Sequence, residues 1–102
     1  MAYDFVLAGP LWDQLSSDQQ TAISDIFINF LDEFGVPTSD EACQSSALVF
    51  AMMASSLLAQ MSPETMERAL GDIDVSLRIN TKASMRFMRQ ESRELGAHMV
   101  KH

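Results

Sequence analysis

From residue 23 onward, apolar side chains recur at steps of three and four: Ile23, Ile26, Phe27, Phe30, Leu31 and Phe34. Asp18, Asp25 and Asp32 recur every seven residues on the opposite side. Both series have the period of one helix with an apolar face and an acidic face, expected over about residues 18–34. Ser17 with Gln20 makes a capping box for its start, and Gly35 followed by Pro37 stops it. Ile28 falls on neither face and is left as an outer contact.

A second helix is expected after Pro37-Thr38-Ser39-Asp40-Glu41, where Thr38 and Glu41 suit another capping box, and runs to about Gln60. Ala47, Ala51, Ser55 and Ala59 stand four apart as a ridge of small residues, with Leu48, Phe50, Met52, Met53, Leu57 and Leu58 around it. A helix apolar nearly all round must be covered on all sides, by its own neighbours or by a second copy of the chain. Self-association along the ridge, as a homodimer, is therefore expected. The uncharged run from Ala42 to Gln60 approaches the length of a membrane span, but it contains six Ser and Gln residues and lacks a basic flank. It reads as a buried central helix.

The third start signal is Ser62 as N-cap with Pro63 in the first turn and Glu64 behind it. Its end is ambiguous. Gly71 is a possible stop, and Asp72 to Asn80 alternates, with Ile73, Val75, Leu77 and Ile79 on one side. Because Met66, Leu70, Ile73 and Leu77 also fit a helix, residues 72–88 are read as helical, with a β-hairpin turning at Asn80-Thr81-Lys82 left open. On a helix over 78–99, Arg78, Lys82, Arg86, Arg89 and Arg93 converge within an arc of about 80°. Leu77, Met85, Met88, Leu95 and Met99 form an apolar strip beside them, and Phe87 points away from that strip. The expected fold is all-α: a small compact bundle of three to four helices in one domain over 1–102, with 1–10 an N-terminal arm and 97–102 a frayed tail.

Charge is divided unevenly along this pattern. Residues 1–67 hold ten acids and no Lys or Arg, while residues 68–102 hold seven bases and four acids, which gives -10 and +3 and the net -7. The acidic body argues against direct nucleic-acid binding by the basic stripe. It favours docking on a basic surface of another protein, with Asp18, Asp25 and Asp32 carrying the contact and Asp40 and Glu41 adjoining. In size and charge alone, with no shared motif, the chain resembles small acidic phage inhibitors, including anti-CRISPR proteins. That resemblance implies a non-catalytic inhibitor or regulator. Two alternatives stay open: a homo-oligomeric adaptor or assembly chaperone, and a nucleic-acid-binding regulator using the stripe from Arg78 to Arg93.

Candidate chemistry adds little. Cys43 is the single cysteine and sits in an apolar run, so it reads as a buried structural thiol in a reducing, cytoplasmic setting. The N-terminus lacks a basic n-region and a sustained apolar core, and no secretion signal is read there. His98 and His102 lie four apart at the chain's end, short of a zinc ligand set. No cofactor, metal or catalytic residue is assigned, and no enzyme activity is expected.

Overall fold

The structure, a computed structural model, describes residues 5–100, with side-chain environments for residues 5–90. Four helices and no strand are present among the described residues: α1 (Pro10–Asp13), α2 (Ser17–Phe34), α3 (Asp40–Leu58) and α4 (Pro63–Val100).

The helix starts follow local capping chemistry, shifted by one residue from the sequence reading at two places. The cap of α2 is Ser16, not Ser17: its hydroxyl accepts from the Gln19 amide at 3.2 Å and the Gln19 side chain accepts from the Ser16 amide at 2.9 Å. Ser-Ser-Asp-Gln-Gln holds two overlapping Ser-x-x-Gln boxes, and the frame adopted leaves Gln20 to donate to the Trp12 carbonyl at 3.0 Å, joining α2 to α1. For α3 the cap is Ser39 rather than Thr38, accepting from the Ala42 amide at 3.1 Å. This sets Asp40 and Glu41 in the first turn, where carboxylates meet the positive end of the helix dipole. Ser62 accepts from the Thr65 amide at 3.4 Å, and Pro63 opens α4 as expected.

Residues 72–88 are helical throughout, so the hairpin alternative is excluded and Gly71 does not stop α4. Ile73 and Leu77 stand one turn apart, and Asp74 pairs with Arg78 at 3.1 Å across the same turn. A lone hairpin of such short strands is marginal in water, whereas the helical frame is continuous on both sides. The backbone of 97–100, expected as part of a frayed tail, continues α4, and residues 101–102 lie outside the described residues. At 1.5 Å per residue, 38 residues span roughly 57 Å, which accounts for the 59 Å long axis of a molecule otherwise 29 × 27 Å.

The helices approach one another most where α4 meets α1 and α3, while the aromatic side chains gather between α2 and α3. Phe30 is 8% exposed and stacks on Phe34 at 4.7 Å between ring centroids, with Phe50 of α3 at 4.5 Å. Phe27 bridges Phe50 at 6.2 Å and Phe5 of the N-terminal arm at 6.1 Å. Such pairs contribute about 0.5–1.5 kcal/mol each beyond their buried area. Pro37, in the turn between the helices, is buried beneath them.

The arm is fastened to α4 by polar groups. Asn80 accepts from the Leu11 amide at 2.9 Å and donates to the Ala8 carbonyl at 3.1 Å, and Ser84 donates to the same carbonyl at 3.0 Å. Gly9 permits this approach: its φ is 111°, and a Cβ there would lie 2.8 Å from Asn80 Cγ. The arm expected over 1–10 thus ends in helix α1, with Gly9 as its N-cap and Pro10 in its first turn.

Candidate functional site

The acidic residues fall where the periodicity placed them. Asp18, Asp25 and Asp32 lie on one exposed side of α2, opposite the half-buried Gln20, Ser24, Phe27 and Leu31. Asp40 and Glu41 are exposed in the first turn of α3, beyond the 35–39 turn that follows Asp32. The only ion pair among the described residues is Asp74 with Arg78, so all five acids are without a cation partner among those residues. Chain order and the helix period assemble this face with no distant residue brought in.

The basic stripe is also exposed, at Arg78, Lys82, Arg86 and Arg89. Arg78 engages Asp74 on its own helix, and neither α2 nor α3 offers a carboxylate to the others. Among the described residues, no carboxylate of α2 or α3 pairs with the stripe. The side chain of Arg93, like those of Leu95, Met99, His98 and His102, lies outside the described residues.

The apolar surfaces depart most from the sequence reading. α3 was expected to be a buried central helix; none of its residues is buried. The ridge Ala47, Ala51, Ser55 and Ala59 is exposed along its whole length. Leu48 is 60%, Met52 64% and Leu57 71% exposed. On α2, Ile23, Ile26 and Phe34, expected in the core, are exposed, because the arm and α3 together cover only the arc around Phe27, Phe30 and Leu31. On α4, the strip containing Leu77, Met85 and Met88 is exposed as well, and Leu70 and Ile73 extend it toward the helix start. The side of α4 that does pack carries Ala69, Ser76, Asn80 and Ala83, small and polar residues suited to the arm's carbonyls. By length and composition, α3 is a helix able to cross a membrane.

Three hollows border the phenylalanine cluster, and two of them involve α3. One, of about 200 Å³, is lined by Phe5, Phe27, Phe30, Cys43, Ala47 and Phe50 and is almost wholly apolar. The other is an open groove along the 34–38 turn, between Phe34, Val36, Ala42 and Val49. Cys43 is half-buried at the first of these rather than enclosed. No group of three or more potential metal ligands occurs among the described residues.

What sequence reasoning missed is the Asn80 clamp. Its signals were present, a Gly-Pro pair upstream and Asn80 with Ser84 one turn apart, but nothing local says that residues 69 to 76 positions apart meet. Comparison with protein-family models, curated proteins and solved structures gives no match.

Proposed function

We propose that the protein acts without catalysis, as an acidic inhibitor or regulator that docks on a basic surface of a partner protein. The observation that supports this most is the set of five exposed carboxylates, Asp18, Asp25, Asp32, Asp40 and Glu41, with no cation partner among the described residues. Spaced negative charge on a rigid helix can oppose the spaced cations of a nucleic-acid-binding groove, raising the association rate and setting the register of the contact. The capped start of α2 and the Phe30 cluster beneath it support the reading by keeping Asp18, Asp25 and Asp32 on one helical face.

The test is affinity capture from an extract of the source cells with the chain and with its Asp18→Lys, Asp25→Lys, Asp32→Lys variant. The reading expects a partner rich in surface Lys and Arg, released by salt from the parent chain and not retained by the variant. Equal retention by both would remove the acidic face from the function. A second reading, an oligomeric adaptor, is supported by the exposed apolar surfaces of α3 and α4. Direct nucleic-acid binding is the weaker alternative; it requires salt-dependent retention of DNA or RNA that disappears on neutralising Arg86, Arg89 and Arg93.

A further inference from the structure

We infer that the folded unit is an obligate homodimer, in which a second copy of this chain covers the outer side of α3 and the apolar strip of α4. The first ground is area. The chain exposes 8417 Å², whereas a compact monomer of 11.4 kDa exposes about 5,800 Å². The excess of roughly 2,600 Å² per chain, to which the elongated shape set by α4 also contributes, is at least as large as the roughly 1,000–2,500 Å² that obligate dimers bury per partner. The radius of gyration agrees: 16.3 Å against about 13 Å for a compact chain of this length.

The second ground is where that surface lies and what it carries. Leu48 and Met52, one turn apart on α3 beside the ridge of small residues, and Leu70, Ile73 and Leu77 on α4 are all exposed large apolar side chains on helices whose other sides already pack. On α4, Met66, Leu70, Ile73 and Leu77 step by four, three and four, the spacing of a helix seam that interlocks with another helix. Ser55, in the middle of the α3 surface, turns its hydroxyl back to the Ala51 carbonyl at 2.9 Å, so the donor is satisfied inside its own helix. That hydroxyl donor is thereby withdrawn from water.

The third ground is charge. Two chains of net -7 repel, and the repulsion is weakest where neither presents charge. Between Glu41 and Glu64 there is no charged residue. A two-fold contact through α3 brings together the part of each chain that costs least electrostatically. A symmetric dimer also requires only one self-complementary surface.

The inference goes beyond the docking role of the acidic face, which it does not use, and either can fail alone. Light scattering with far-ultraviolet circular dichroism tests it, on the full chain at about 10 µM. The parent should have about 23 kDa, twice the 11.4 kDa of one chain. Met52→Glu and Leu77→Glu should each convert it to the monomer mass or abolish the helical signal, with recovery at higher protein concentration. Asn29→Glu, on the exposed side of α2, should change neither reading. A parent that is monomeric and helical overturns the inference, as does one that becomes helical only with phosphatidylglycerol vesicles. So does a dimer that keeps its mass and helicity in both Met52→Glu and Leu77→Glu.

Discussion

Phe30 has the largest consequence of any single side chain in this molecule. It touches both Phe34 and Phe50 and is the one buried large side chain among the described residues. Phe30→Ala removes those contacts where the two helices cannot close the gap, and a loss of about 3 kcal/mol in denaturant unfolding is expected. Phe34→Ala, at a residue 65% exposed, gives up only one stacked face and should cost about 1 kcal/mol or less. Equal effects would place the core elsewhere. The Asn80 clamp makes a sharper prediction. Asn80→Asp keeps an acceptor for the Leu11 amide but sets a carboxylate oxygen against the Ala8 carbonyl, which needs a donor. Loss of about 1–3 kcal/mol is expected, with Trp12 fluorescence reporting release of the arm before α2 and α3 separate. Gly9→Ala should act in the same direction, through both its positive φ and its approach to Asn80.

The helices themselves were largely legible, and for a physical reason: caps and amphipathic period are local. Ser16, Ser39 and Ser62 each begin a helix by bonding an amide three residues on, and the one-residue errors arose only where two adjacent hydroxyl residues could serve. The segment from Asp72 to Asn80 could not be decided locally, since its apolar residues satisfy a period of two as well as a helical one. Continuity with the helix on either side decided it. Gly71 tests that continuity directly. It lies inside α4 with nothing within 4 Å of an added Cβ, so Gly71→Ala should raise stability by about 0.5–1 kcal/mol through helix propensity alone. A destabilised variant would mean that the glycine serves as a turn.

Tertiary placement was much less legible. Periodicity says which side of a helix is apolar, but not whether this chain or another covers it. Asp18, Asp25 and Asp32 are exposed as the helix period expects, because charged groups need only solvent. The burial of α3 and of the α4 strip was read wrongly for a single chain, because one arm and two helices cannot enclose that much apolar surface. The proposed dimer follows from the same mismatch. A chain with so small a core should owe much of its stability to association, and a dimer that unfolds to two free chains has a midpoint that depends on concentration. The thermal midpoint, followed by circular dichroism over about a hundredfold range of protein concentration, should rise by roughly 5 °C. A midpoint that stays constant over that range would contradict the account, because the fold would then be complete within one chain.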